Sequence, residues 1–333
     1  MATKPRIAWI LGDAAGIGPE LIAKSLTNPK IIALCRPIII GPTWLLERGM
    51  QDTQINVSYK ICTAETINDV TDDVIPIIDQ GWPKEDIPLG EISASAGKLS
   101  LEMMACAVKM AQKGIVSAIV KGPSNKESLK RAGNPHDTEL PLMGEWLGET
   151  EYGEVNVVGD LFTTRVTSHV ALKDVASLLS PQKVLKTLQL MHKVLVQAGH
   201  KNPKIGVAGL NPHAGEHGLF GDEEGEIIEP GLAMAKELGI ETEGPLPPDT
   251  IFVRARRGDF NGVVTMYHDQ GLIAMKLLGF DQGVSVSGGL SIPIMTTSHG
   301  TAYDIAGTGQ ADPGAFQAAV RLATQMALRN SEN

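Results

Sequence analysis

An α/β fold with mostly parallel strands is what this chain predicts, and two patterns carry the prediction. Short apolar runs of strand length recur along the sequence, most of them ending in a glycine-containing turn. Segments with apolar residues at helical spacing separate them. The length of 333 residues adds a third constraint and suggests two domains or one large one. Hydrophobic residues are 43% of the chain, enough for sizeable cores, while aromatics are only 4%. Val, Ile, Leu, Ala and Met must therefore do the packing. The 36 glycines suit a fold with many strand-to-helix turns.

The elements follow in order. Ile7 to Leu11 reads as a strand ending at Gly12-Asp13. Gly16-Ile17-Gly18-Pro19-Glu20 then turns into a helix, with Pro19 in the first turn where a missing N–H costs nothing. Ile38 to Ile40 repeats the pattern, with Gly41-Pro42 and a helix after it. A long helix is predicted from Ala94 to Lys113, because Leu99, Met103, Ala107, Met110 and Ala111 recur at helical spacing and Gly114 suits its end. Ile115 to Val120 is the next strand and leads into Lys121-Gly122-Pro123-Ser124-Asn125-Lys126. Val155 to Val158 is a further strand. Ser180-Pro181 opens a helix as cap and first residue, and that helix stops near Gly199. Ile205 to Leu210 is a strand, Glu226 to Leu238 a helix, and Val263 to Met266 a strand. Pro313 to Arg329 is helical, with Asn330 to Asn333 as a frayed end.

The net charge of -9 argues against a phosphate-backbone partner such as nucleic acid. No apolar run approaches the roughly 18 residues that span a bilayer. No signal-peptide pattern precedes the first strand. Cys35, Cys62 and Cys106 are far apart, lack paired spacing and sit in apolar surroundings. They read as buried thiols in a reducing compartment. The expectation is a cytoplasmic protein with a small-molecule substrate and neither nucleic acid nor membrane as partner.

Three histidines stand out. His169 lies in Thr167-Ser168-His169-Val170-Ala171, His213 in Asn211-Pro212-His213-Ala214-Gly215, and His268 in Tyr267-His268-Asp269-Gln270-Gly271. His213 and His268 each follow a predicted strand. Ligands of open α/β sheets collect outside the carboxyl ends of strands, so these imidazoles can converge on one divalent ion with His169 nearby. Zinc, magnesium, manganese and cobalt all remain open.

The motifs now resemble one family over nearly the whole chain: the 4-hydroxythreonine-4-phosphate dehydrogenases (PdxA) of the pyridoxal phosphate pathway and their relatives. The blocks are Gly12-Asp13-Ala14-Ala15-Gly16-Ile17-Gly18-Pro19-Glu20, Pro123-Ser124-Asn125-Lys126-Glu127, the three histidine motifs, Gly244-Pro245-Leu246-Pro247-Pro248-Asp249-Thr250 and His299-Gly300-Thr301-Ala302. The resemblance implies an isocitrate/isopropylmalate dehydrogenase-like fold of two α/β/α domains with the active site in the cleft between them. The NAD-side domain is expected at about 1–135 plus 286–333, and the metal- and dimer-side domain at about 136–285. It also implies a homodimer, NAD, and a metal held by His169, His213 and His268. Gly12, Asp13, His299, Gly300, Thr301 and Asp304 are the implied NAD-side residues, although no GxGxxG signature is present.

The implied chemistry is oxidation of a secondary alcohol in a hydroxy acid, followed by loss of carbon dioxide. Asp249, Asp269 and Lys276 are candidates for the base, and Asp269 is equally placed to orient His268. His136, Asp137, Thr138, Lys276 and Ser285 are the implied substrate contacts, with Asp137 an extra residue between the family's histidine and threonine. Enzymes of the family that act on phosphorylated substrates usually carry asparagine and arginine at the positions of Ser285 and Ile294. Ser285 to Met295 contains no arginine, and isoleucine cannot replace a bidentate clamp. Lys276, Lys121 and Lys126 are the remaining cations for a phosphate. Two substrate readings therefore stand: 4-phosphohydroxy-L-threonine, and an unphosphorylated compound such as a cis-dihydrodiol carboxylate, against which Ile294 and Met295 would pack. A metal-dependent hydrolase and a silent metal-binding protein are the readings from other classes.

Overall fold

Strands that run apolar from end to end are buried on both faces, which is the mark of a parallel sheet between helices. β1 (Arg6–Ile10) and β2 (Arg36–Ile40) are of this kind in the computed structural model, which describes residues 4–84 and 86–330. α1 (Gly18–Leu26), with Pro19 in its first turn, and the short α2 (Pro29–Ile32) connect them. α3 (Thr43–Thr53), β3 (Tyr59–Ile61) and β4 (Ile75–Ile78) follow. α4 (Ala94–Gln112) is the long helix the spacing predicts, capped by the Ser93 hydroxyl, which accepts from the Ala96 N–H at 3.3 Å. β5 (Ala118–Lys121), α5 (Lys126–Arg131) and α6 (Glu139–Leu147) complete this stretch.

The chain divides into two compact units, one ending at Tyr152 and resuming at Leu290, the other Gly153–Gly289. The second unit holds β6 (Gly153–Val158), β7 (Leu161–Arg165), α7 (Val175–Leu178), α8 (Pro181–Gln197) and β8 (Ile205–Ala208). It continues with α9 (Glu229–Glu237), β9 (Thr242–Leu246), α10 (Ile251–Arg256), β10 (Gly262–Thr265), α11 (His268–Gly279) and β11 (Val284–Gly288). Ser180 caps α8 as predicted. The helix expected over 226–238 is shorter, because one π-helical turn, Glu224–Ile228, precedes it. The strand order is β11-β6-β7-β10-β8-β9. β6 is antiparallel to both β7 and β11, and the other pairs are parallel. The core of this unit gathers Leu161, Ala208, Ile251, Ala255, Phe260, Val263 and Met275.

The chain then returns to the first unit with β12 (Ile294–Thr297) and α12 (Gly314–Asn330). Asn330 closes that helix rather than fraying, and the rest of the expected frayed end lies outside the described residues. The first unit's order is β3-β4-β2-β1-β5-β12, all parallel. Trp9 of β1 and Phe316 of α12, both fully buried, meet edge to face at 5.3 Å. The three cysteines are buried and unpaired, as expected.

Candidate active site

In the second unit β7, β10 and β8 lie side by side and parallel. The connections leaving their carboxyl ends lead to His169, to His268 as the first residue of α11, and to His213 respectively, and Asp249 follows β9 next along the same edge. The His169 and His268 rings stand 5.6 Å apart between centroids. Two imidazoles on one ion, with metal–nitrogen bonds of about 2.0–2.1 Å, have centroids roughly 4.5–5.5 Å apart, so this pair stands just beyond that separation. His268 Nδ1 lies 2.6 Å from the Asp269 carboxylate. A carboxylate only accepts, so Nδ1 donates in this bond and Nε2 is the ring nitrogen left to face a metal. Asp269 is thus engaged in orienting the ring.

His213 is not brought into that pair. Its ring packs near Phe220 at 6.1 Å. Among the described residues no group of three His, Cys, Asp or Glu side chains is close enough to hold an ion together. The His213 loop is built unusually: His213, Ala214, Gly215, Glu216 and His217 all have positive φ, from 42° to 78°. The buried Glu224 carboxylate clasps it, accepting from the Asn211 N–H at 2.8 Å and from Asn211 Nδ2 at 3.0 Å. A Cβ on Gly215 would stand 2.6 Å from Glu224 Oε2, so the carboxylate fits only against glycine there.

Asp249 is exposed before α10, and the Thr250 at the helix start makes no side-chain cap bond. Lys276 is exposed on α11. Ser285 is half-buried in β11 and accepts from Asn156 Nδ2 at 3.0 Å. Asn156 Oδ1 in turn accepts from buried Arg165 at 2.7 Å, whose Nε donates to Ser168 Oγ at 3.1 Å. This network ties the Ser285 strand to the loop of His169.

In the first unit the connection reverses at β1: β2 lies on one side of it and β5 on the other. Such a switch point opens a crevice outside the strand ends. Gly12 and Asp13 follow β1 at this end and are buried. Gly12 has φ +79°, and a Cβ there would stand 2.8 Å from Gly122 C and Pro123 O. The Asp13 carboxylate accepts from the Ala15 N–H at 2.8 Å and the Tyr303 hydroxyl at 3.0 Å. Burial pushes the Asp13 carboxyl up, and these bonds act against it. Thr301 is drawn to the same turn, its carbonyl accepting from the Ile17 N–H at 3.1 Å. His299 Nδ1 lies 3.0 Å from the Gly300 carbonyl oxygen. Gly300 and Asp304 are exposed.

The expected substrate contacts His136, Asp137 and Thr138 are also in this unit. His136 Nε2 meets Glu145 at 2.7 Å, exposed Asp137 meets Lys130 at 3.3 Å, and Thr138 begins α6. Just beyond, Lys121 Nζ pairs with Glu139 at 2.5 Å. Burial alone would raise the Glu139 carboxyl, but Lys121, a backbone hydrogen bond and Lys126 together hold it below its usual range. Ile294 and Met295, expected as an apolar wall for a substrate ring, are fully buried at 0% and 1% exposure. Both sit in β12, paired with Ile119 and Val120. Apolar strand residues at a sheet's interior pack in the core, and these offer no surface to a ring.

The family described as pyridoxal phosphate biosynthetic protein PdxA matches residues 33–323. The chain belongs to the PdxA family. A Pseudomonas aeruginosa member, provisionally named 4-hydroxythreonine-4-phosphate dehydrogenase 2, is 46% identical, with 97% of each chain covered. D-threonate 4-phosphate dehydrogenase of Cupriavidus necator is 38% identical over 98% of each chain. The crystal structure of a Burkholderia phymatum 4-hydroxythreonine-4-phosphate dehydrogenase matches with a TM-score of 0.83 at 39% identity, covering 97% of this chain and 98% of that one. A terephthalate 1,2-cis-dihydrodiol dehydrogenase from Burkholderia xenovorans matches at 0.66 and 27% identity, over 96% and 98%. A β-decarboxylating dehydrogenase of Thermococcus kodakarensis, at 0.50 and 14% over 95% and 81%, shares the fold alone. The protein is thus a PdxA-family dehydrogenase acting on a CH–OH group, with the fold class the motifs implied. Among the described residues no helix is long and apolar enough to cross a membrane.

Proposed function

We propose that this PdxA-family enzyme oxidises the secondary alcohol of a phosphorylated hydroxy acid, 4-hydroxythreonine 4-phosphate or D-threonate 4-phosphate, using NAD and a divalent metal, with decarboxylation. The observation that carries it is the delivery of His169, His268 and His213 by three adjacent parallel strands, in a chain whose full-length relatives carry those substrate names. His169, His213 and His268 would hold a divalent ion, which would supply acidification of the alcohol, and Gly12, Asp13, His299, Gly300, Thr301 and Asp304 would hold NAD, which would supply the hydride acceptor. Asp269 acts by orienting His268 and fixing its tautomer. Asp249 and Lys276 are left as the groups to take the hydroxyl proton. Asp249 stands on the same strand edge as the histidines, which favours it.

A second copy of the chain suits the outer face of α11. Ile273 and Leu277 on α11 and Phe280 just beyond its end are 61%, 84% and 57% exposed, which is costly for a monomer. A cytoplasmic setting fits three buried, unpaired thiols. The dihydrodiol reading keeps one support, the absence of arginine from 285 to 295.

The test is NADH formation from the two phosphorylated acids and from a cis-dihydrodiol carboxylate, with zinc, magnesium, manganese or cobalt added. Turnover of a phosphorylated acid at kcat/KM of about 10⁴ M⁻¹s⁻¹ or more supports the proposal. Turnover of the dihydrodiol alone replaces it with the second reading. No turnover under any metal overturns both.

A further inference from the structure

Lys121 is a buried cation at the strand ends of the first unit that the chemistry above leaves unused. It ends β5, one of the two strands flanking the switch point, and is 3% exposed. A lysine there has given up most of its hydration, which requires a strong compensating partner. Glu139 is that partner, from the first turn of α6, at 2.5 Å. Ser124 Oγ lies 3.5 Å from the same ammonium. Lys126, exposed at the start of α5, also holds Glu139 in its charged form. Two ammonium groups thus share one carboxylate, and the cluster keeps one net positive charge.

The sheet register adds a second argument. β12 is parallel to β5, with Thr296 opposite Lys121 and Ile294 opposite Ile119. Register partners in a sheet leave the same face. Lys121 therefore projects from the same face as Ile294, one strand across and two residues further toward the strand ends. Ile294 itself is apolar and 0% exposed. A cation missing at 294 and a cation present at 121 are close neighbours on one surface of one sheet.

We propose that Lys121, poised on Glu139 and seconded by Lys126, is the specificity-determining residue that receives the terminal phosphate of the substrate. This rests on the reading of the enzyme as a dehydrogenase of a phosphorylated acid. A phosphate bound at the crevice meets Lys121 and Lys126 and shares the two ammoniums with Glu139. The carboxylate keeps the buried lysine charged and aimed when no anion is bound. A compound without a terminal anion leaves the cluster as it is and gains nothing from it, so the site discriminates by charge.

The experiment compares the wild type with Lys121→Arg and with the double variant Lys121→Met/Glu139→Gln. The double variant keeps the volume and removes both charges, so the fold is not left with an unpaired buried carboxylate. Inorganic phosphate binding is measured by calorimetry on the full chain, and KM and kcat for both phosphorylated acids are measured in the same preparations. The expected result is saturable phosphate binding by the wild type, weakened at least about tenfold in the double variant and largely kept in Lys121→Arg. KM should rise with it while kcat changes little. Equal phosphate affinity in wild type and double variant would mean that the pair is only structural, and it overturns the proposal. So does a wild type that binds no phosphate; if that protein still reduces NAD with an alcohol substrate, the dehydrogenase reading stands and this inference alone falls. Conversely, phosphate bound through Lys121 without turnover of either acid keeps the anion site and removes the substrate assignment.

Discussion

The loop of His213 offers the sharpest test of the proposed metal site. Four non-glycine residues, His213, Ala214, Glu216 and His217, hold left-handed backbone angles in sequence. Each costs about 1–2 kcal/mol relative to the right-handed form, so the loop carries roughly 4–8 kcal/mol. Its main counterweight is the Glu224 carboxylate, with two hydrogen bonds from Asn211. Bonds to a buried charged acceptor are worth about 1.5–3 kcal/mol each, so the clasp supplies roughly 3–6 kcal/mol. Clasp and strain are of the same size, and removing the first lets the second relax. Glu224→Ala should release the loop, so that bringing His213 to an ion beside His169 and His268 would also require ordering the segment. Zinc affinity, measured by competition with a chromophoric chelator, should fall at least about tenfold. Global stability should fall much less than the lost bonds suggest, because the relaxing loop recovers its strain. Amide exchange of 211–221 should rise alone. The comparison protein is His213→Ala. If Glu224→Ala binds zinc like the wild type while His213→Ala does not, the clasp has no positioning role. If both bind like the wild type, His213 is no metal ligand at all.

The other outcomes are simpler. Asp269→Asn should weaken zinc binding by about 10–100-fold, since an amide in place of the carboxylate weakens the hold on the His268 tautomer; unchanged affinity would count against the orienting role. Gly18→Ala should destabilise by about 1–3 kcal/mol or more, because its Cβ would stand 2.1 Å from the Leu11 carbonyl oxygen; calorimetry showing an unaltered Tm refutes that packing. Leu277→Asp should turn a dimer into a monomer in sedimentation if the α11 stripe is covered by a second copy, and a wild-type monomer sinks the idea outright. Glu243 is held down to about 2 by its hydrogen bonds with Arg254 and Lys204. A depressed carboxyl stabilises above its ordinary value of 4.5 and loses that contribution as pH falls toward 2. The Tm gap between wild type and Glu243→Gln should therefore shrink from pH 5 to pH 2, and a constant gap would show that the pair adds nothing.

What the sequence made legible has a physical pattern. Buried parallel strands must be continuous apolar runs, so β1, β2, β8 and β10 could be read directly. α4 and α8 are long enough for periodicity and caps to agree. The strands that escaped are short or polar: β9 contains Gly244-Pro245, and β11 alternates serine with valine. The histidines were legible because each follows a strand in a distinctive polar turn. Glu224 was not, since it lies in an acidic run, Asp222-Glu223-Glu224, that reads as a solvated surface. Its burial depends on Gly209 and Gly215 leaving space for the carboxylate. Arg165 was missed for a similar reason. Its partners Glu154, Asn156 and Ser168 come together only through the antiparallel pairing of β6 with β7 and the turn beyond it.

Ile294 shows where an alignment of single positions misleads. Read alone, an isoleucine in place of an arginine argues that the phosphate has been lost from the substrate. The register shows that the same patch of sheet is reached from β5 as well as from β12. A charge can leave one strand and reappear on its neighbour without leaving the site, because strands in a sheet are only about 4.8 Å apart and lysine is long. The informative unit is therefore the local charge of the patch, not the residue at one position. Lys121 is a cation on that face of the sheet even though 285–295 has no arginine, and this is what the proposal above rests on.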